Sequence, residues 1–306
     1  MTRTRFRPDR GLSARMVLTV FLLGLVYVLF AAVLIALLKS VVLVVVVAAG
    51  LLFAQYWFSD RIALFAMHGR IVTPEQAPEL HAVVDRLCAL ADMPKPEVAV
   101  ADVDLPNAFA TGRNSRRAVL CVTTGLLGRL DAEELQAVLA HELSHVAHRD
   151  VAVMTVASFL GVLAGLITRF TMYAGMFGDL GRRRGSNDQN AGAVIALVML
   201  VSAVVYAVSF LLIRALSRYR ELAADRSAAY LTGRPSALSA ALGKVTGEMG
   251  RIPTRDLRTA EAFNAFFFTP ALARGFSLSS LFSTHPPLQR RLDQLAAISA
   301  ELGRPV

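Results

Sequence analysis

Four apolar blocks constrain this chain more than any other feature. Residues 16–38, 41–58 and 191–213 contain no charged side chain, and 151–176 contains only Arg169. A helix needs about 20 residues to cross the hydrocarbon core of a bilayer. The first and last blocks clear that length and 41–58 just reaches it. The block at 151–176 suffices if Arg169 extends to an interface. Four such blocks exceed what the core of a soluble domain absorbs, so the expectation is four transmembrane helices in two hairpins. A cleaved signal peptide is not expected, because the first block is too long for one and a second follows at once.

The charged residues orient these spans. The net charge is +9 and the pI about 10.2. Arg3, Arg5, Arg7, Arg10 and Arg15 face only Asp9 before the first block. The positive-inside rule keeps such an N-terminus in the cytoplasm, against anionic lipid. Basic and aromatic residues do not interleave, so nucleic acid is not an expected partner. One hairpin returns the chain near Asp60, and a second returns it near Arg214, Arg218 and Arg220. The Arg182-Arg183-Arg184 run conflicts with this layout, since it would lie outside. Either the N-terminal signal dominates, or the last two blocks enter the bilayer without crossing it. The expected organisation is a basic N-terminus at 1–15, a hairpin at 16–58, a first polar part at 59–150, a second hairpin at 151–213 and a second polar part at 214–306. Cys88 and Cys121 sit in apolar settings and form no CxxC pair, which suits buried thiols in a reducing compartment.

Local signals within the polar parts are clear. Residues 78–93 have helical periodicity, with Leu80, Val83, Val84, Leu87 and Leu90 on one face. Residues 97–101 and 118–123 read as strands, and 110–112 as the end of a third. The stretch "LDAEELQAVLAHELSHVAHRD" reads as a helix that begins at Asp131, with Glu134 at the capping-box position and Leu130 and Leu135 at staple spacing. Its buried face would be Leu135, Val138, Leu139, Leu143 and Val146.

That helix carries the chemistry. His141 and His145 are four residues apart, so both imidazoles project from one face and can bind one ion. Glu142 stands about 100° round the helix. There it would take a proton from an attacking water and pass it to a leaving amine. A hydrolytic zinc site needs a third protein ligand, and Glu221 in "SRYRELAADRSAA" is the candidate. Asp225 follows on the same face, placed to accept the outer N–H of a ligand histidine. Ala223, Ala224, Ala228 and Ala229 allow this helix to pack closely on another.

"PNAFATG", "HELSHVAHRD", "SRYRELAAD", "THPPLQRRL" and the paired apolar blocks together resemble the HtpX family of membrane zinc metalloproteases, related to the endoproteases that process prenylated CAAX proteins. The likeness spans nearly the whole chain. It departs at the Arg-rich N-terminus and at the Arg182–Arg184 run. The resemblance implies one zinc ion on His141, His145 and Glu221, with Glu142 as base. It implies a multi-pass protein of the bacterial plasma membrane, with its catalytic part in the cytoplasm, cleaving damaged or misfolded membrane proteins. The fold class expected is mainly α, with four transmembrane helices and an α+β zincin-like domain of the gluzincin type containing a small sheet.

His285 resembles a family histidine near the cleft, expected to assist the oxyanion or touch substrate, or else to cap before Pro286-Pro287. The segment Asn107-Ala108-Phe109-Ala110-Thr111 is expected to be an edge strand that pairs with extended substrate. His148 reads as interfacial, His68 and His81 as structural, and 263–268 as core. Three other functions compete with this reading. A silent scaffold has no need of Glu142, a zinc transporter would place its ligands inside the spans, and nothing in the sequence marks a prenyl-binding site. The oligomeric state has no sequence signature.

Overall fold

A computed structural model of the chain describes residues 10–38, 68–112, 115–150, 189–251 and 285–303, with scattered positions at 46–57 and 153–167. The chain divides into two compact units. One comprises 1–16, 58–153 and 217–306, and the other 17–57 and 154–216.

The first unit contains a four-stranded sheet. Its strands are β1 (Gly69–Ile71), β2 (Glu97–Ala101), β3 (Ala108–Thr111) and β4 (Val119–Thr123), in the order β1-β2-β4-β3. β2 and β4 are parallel, and both outer pairs are antiparallel. Side chains alternate across the sheet. Val98, Val100, Ala108, Leu120 and Val122 join the larger core, while Ala99, Ala101, Phe109 and Cys121 form a smaller cluster on the opposite face. The larger core also draws on α2 (Pro78–Ala91), α4 (Ala132–Ala147), α6 (Pro235–Arg251) and α7 (Leu288–Glu301). Leu87, Leu139, Leu143, Leu238 and Leu242 are fully buried within it. Each contributes about 1.5–3 kcal/mol relative to an exposed side chain.

β3 is fixed at its entrance. The Thr123 hydroxyl accepts from the Asn107 N–H at 2.9 Å and donates to the Leu105 carbonyl at 2.7 Å. Arg129 grips the Asp104 carboxylate through Nη1 at 2.9 Å and Nη2 at 3.1 Å. Gly125, in the short helix α3 (Thr124–Leu127), lies against the same turn. A Cβ there would stand 2.0 Å from the Asp104 carbonyl oxygen, so only glycine fits. The strand occupies 108–111 rather than ending at 110–112. Gly112 leaves it with φ +138, and a Cβ at that position would meet the Arg117 carbonyl oxygen at 2.5 Å. β1 was not expected, being too short to show an alternating pattern.

α4 begins as its sequence indicates. The Asp131 carboxylate accepts from the N–H groups of Glu133 and Glu134 at 3.0 and 2.9 Å. The Glu134 carboxylate accepts from the Asp131 N–H at 3.0 Å and from Lys244 Nζ at 2.6 Å. The reciprocal cap stabilises the helix by about 0.5–2 kcal/mol, and Lys244 ties its start to α6.

In the second unit, Phe30 and Leu34 of α1 (Arg10–Leu38) cluster with Ala164 and with Val198 and Val205 of α5 (Gln189–Thr232). Tyr27 donates to the Ala157 carbonyl. Among the described residues, two stretches are long and apolar enough to cross a membrane, Arg10–Ala36 and Ala196–Thr232. Much of their apolar surface faces outward: Val17 is 69% exposed, Phe21 66% and Leu200 62%. Such surface is stable against lipid and not against water. Most of 41–58 and 151–176, and all of 182–184 and 263–268, lie outside the described residues.

Candidate metal centre

α4 presents His141 and His145 from one face, as four-residue spacing requires. Their Nε2 atoms are 3.2 Å apart. Glu221 of α5 completes the group, with Oε1 3.4 Å from His145 Nε2 and Oε2 3.7 Å from His141 Nε2. Ligand atoms about 2.0–2.2 Å from a tetrahedral zinc stand roughly 3.3 Å from one another. The nearest separations lie close to that value, and one donor atom from each residue falls within 4.8 Å of the others, so the three side chains can converge on one small ion. Among the described residues, this is the group of three or more His, Cys, Asp or Glu side chains able to hold a metal.

Each histidine is held from behind. His141 Nδ1 lies 2.9 Å from Asp225 Oδ1. Asp225 in turn accepts from Arg291 of α7, through Nε at 2.7 Å and Nη2 at 2.6 Å. His145 Nδ1 lies 2.6 Å from Asp150 Oδ2, which also receives Arg220 Nη2 at 2.8 Å. His285 places Nδ1 3.0 Å from Glu221 Oε2, and Arg291 Nη1 is 3.8 Å from the same oxygen. His285 is therefore seated on the carboxylate of the third candidate ligand.

Glu142 is buried beside this cluster. Its carboxylate accepts a hydrogen bond from the Ala110 N–H of β3. β3 is the last strand of the sheet, and the Thr123 N–H donates to the Asn107 carbonyl at 3.0 Å. Antiparallel alternation then turns the N–H and C=O groups of Ala108 and Ala110 away from β4, toward the edge that no other strand covers among the described residues. The Ala110 donor is spent on Glu142, while the Ala108 groups and the Ala110 carbonyl remain on that edge. The Phe109 side chain points to the other face, buried with Ala99, Ala101 and Cys121. Asn107 and Thr111 are also buried.

Burial dominates the electrostatics, and the partners decide the sign. Burial raises the Glu142 carboxyl above its ordinary value, against the opposing pull of His141 and His145. Burial also pushes Glu221 up, but His285, His141 and His145 outweigh it and hold the carboxylate well below the usual range. The same contest leaves Asp225 low because of Arg291, and Asp150 low because of Arg220 and His145. Burial would lower His145, yet Asp150 and Glu221 raise it to about 10. Such a centre keeps three carboxylates ionised and one, Glu142, easily protonated. That is the split expected of anionic scaffolding around a proton shuttle.

The cluster thus assembles His141, Glu142, His145, Glu221, Asp225 and His285, with β3 alongside. His148 caps the end of α4, and His81 binds the Val72 carbonyl at 3.0 Å, apart from the site. Asp150, Arg220 and Arg291 were not foreseen. Five-residue spacing from His145 was the available signal for Asp150.

A family model described as Peptidase family M48 matches residues 74–299. The chain is 69% identical to Protease HtpX homolog 1 of Streptomyces coelicolor, over 98% of this chain and 97% of that one. It is 53% identical to Protease HtpX homolog of Moorella thermoacetica, over 98% of each. Its fold is similar to the crystal structure of S. mikatae Ste24p, with a TM-score of 0.54 and 20% identity, covering 94% of this chain and 67% of that one.

Proposed function

The chain belongs to peptidase family M48 and is a membrane metalloprotease, and on that premise we propose that it holds one zinc ion on His141, His145 and Glu221 and cleaves unfolded or damaged membrane proteins at the cytoplasmic face. The carrying observation is the convergence of the three donor groups, whose nearest atoms are 3.2, 3.4 and 3.7 Å apart.

Zinc held by His141, His145 and Glu221 would supply Lewis acidity toward the scissile carbonyl and water. The protein's own groups do the rest. Glu142 takes the proton of the attacking water and delivers it to the departing amine. Its raised carboxyl suits it to carry that proton between the two steps. Asp225 fixes the His141 tautomer with Nε2 toward the ion. His285 orients Glu221 and is the candidate donor to the developing oxyanion. Substrate pairs in extended form along 107–111, through the Ala108 groups and the Ala110 carbonyl. Backbone pairing reads no sequence, which suits clearance of many different unfolded chains. Four spans, at 16–38, 41–58, 151–176 and 191–213, carry this centre with both polar parts, 59–150 and 214–306, on the cytoplasmic side.

The test is cleavage of an unfolded membrane protein by purified wild type and Glu142→Gln, each with and without chelator. Wild type should cleave, stop with chelator and recover with zinc. Glu142→Gln should bind zinc and not cleave, and full activity in that variant would remove Glu142 from the mechanism.

A further inference from the structure

The turn after α4 is unusual. His148 caps the helix, and Arg149 follows in the left-handed region with φ 56. A residue with a Cβ is disfavoured there, and arginine lacks the short polar side chain that compensates Asn or Asp. The strained residue turns the chain so that Asp150 comes back onto the helix it has just left. Asp150 is 3% exposed, and its Oδ2 reaches both His145 Nδ1 at 2.6 Å and Arg220 Nη2 at 2.8 Å. Arg220 immediately precedes Glu221 in the chain. The two contacts and the Arg220–Glu221 peptide bond therefore link His145, through Asp150 and Arg220, to Glu221.

We propose that Asp150, aimed by the left-handed turn at Arg149 and held by Arg220, is a positioning residue that fixes His145 and couples its placement to that of Glu221. This rests on the reading of His145 and Glu221 as metal ligands. A carboxylate on Nδ1 keeps the proton on that nitrogen, so Nε2 carries the lone pair that a metal needs. Arg220 keeps the carboxylate oriented, and it moves with Glu221 because the two are adjacent. The second and third ligands are thereby set at their 3.4 Å separation by protein contacts alone. The arrangement mirrors the Asp225–Arg291 pair behind His141, but its parts come from the helix end and from the ligand helix itself.

The experiment is metal affinity of the purified full-length protein, measured by competition with a chromophoric chelator. It is paired with the visible absorption of the Co2+-loaded form, which reports ligand geometry. Asp150→Asn and Arg220→Gln should each weaken Zn2+ binding by roughly 10–100-fold and alter the Co2+ bands. Arg220→Lys, which keeps a donor cation, should recover much of the affinity. The Asp150→Asn, Arg220→Gln double variant should lose little more than Asp150→Asn, since both act through one contact. Wild-type affinity and an unchanged Co2+ spectrum in Asp150→Asn would overturn the proposal. If either variant melts before metal is added, the other decides, and wild-type affinity in a folded Arg220→Gln overturns the proposal equally. His145→Ala and Glu221→Ala separate the two levels. If they bind metal as wild type does, the metal site itself is misassigned. If they lose metal while Asp150→Asn does not, only the positioning role fails.

Discussion

The backbone N–H of Ala110 donates to the carboxylate of Glu142, so the edge of the sheet and the proposed proton shuttle share one hydrogen bond. Ala110→Pro deletes this donor. Removing a hydrogen bond to a charged group costs about 1.5–3 kcal/mol, so kcat should fall roughly 10–100-fold, with zinc content unchanged. Ala108→Pro deletes a donor on the same edge that does not reach Glu142, and should act chiefly on KM. Steady-state kinetics with metal analysis and a thermal melt separate the two. Normal cleavage by both folded variants would exclude this strand from the substrate path.

Glu221→Ala should abolish tight zinc binding, because only two ligands remain. Asp225→Ala should weaken it by about 10–100-fold and also lower the melting temperature. Asp225 is bonded twice by the buried Arg291, and leaving one member of a buried pair alone costs about 3–5 kcal/mol. Chelator competition and a melt of each variant report both effects. Unchanged affinity in the pair would move the third ligand elsewhere.

The two thiols should be inert in the folded protein. Burial pushes Cys121 up to about 12, and burial with nearby Asp85 pushes Cys88 up to about 11. A raised folded value means the protonated form is favoured, so thiolate appears only as pH climbs toward those values. At pH 8 the reactive fraction is roughly 100–1000-fold below that of an unfolded cysteine. Alkylation by iodoacetamide with and without denaturant measures this. Rapid labelling of the native protein at pH 8 would contradict the packing described.

The topology makes a separate prediction. Arg116 is exposed, so Arg116→Cys in a background lacking Cys88 and Cys121 should resist a membrane-impermeant thiol reagent in intact cells and react after lysis. Labelling from outside would reverse the orientation proposed for 59–150.

What the sequence showed plainly was local. The capping box at Asp131 and Glu134, and the shared face of His141 and His145, follow from spacing along one helix. Glu221 and Asp225 were legible because they sit four apart just past an apolar block. Arg291 was not. In "PLQRRL" it looks like a solvated charge, yet it is 1% exposed, and only the crossing of α7 with α5 brings it to Asp225. Asp150 was hidden for a related reason. Arginine gives no hint of a left-handed φ, so the turn at Arg149 is imposed by the partners that Asp150 meets. β3 at 108–111 falls within the edge strand expected over 107–111, and the Thr123 and Arg129 contacts that fix its entrance come from residues well downstream.

The metal centre also has an order of assembly in time. His141, Glu142 and His145 leave the ribosome first, on a helix that can cap itself. Glu221 and Arg220 follow only after 151–216 has been made, and His285 and Arg291 come later still. Because the third ligand and the arginines that hold the carboxylates arrive late, the growing chain has no complete site until most of it has been translated. The split of the candidate ligands across the sequence thus keeps the centre incomplete until both polar parts have been made.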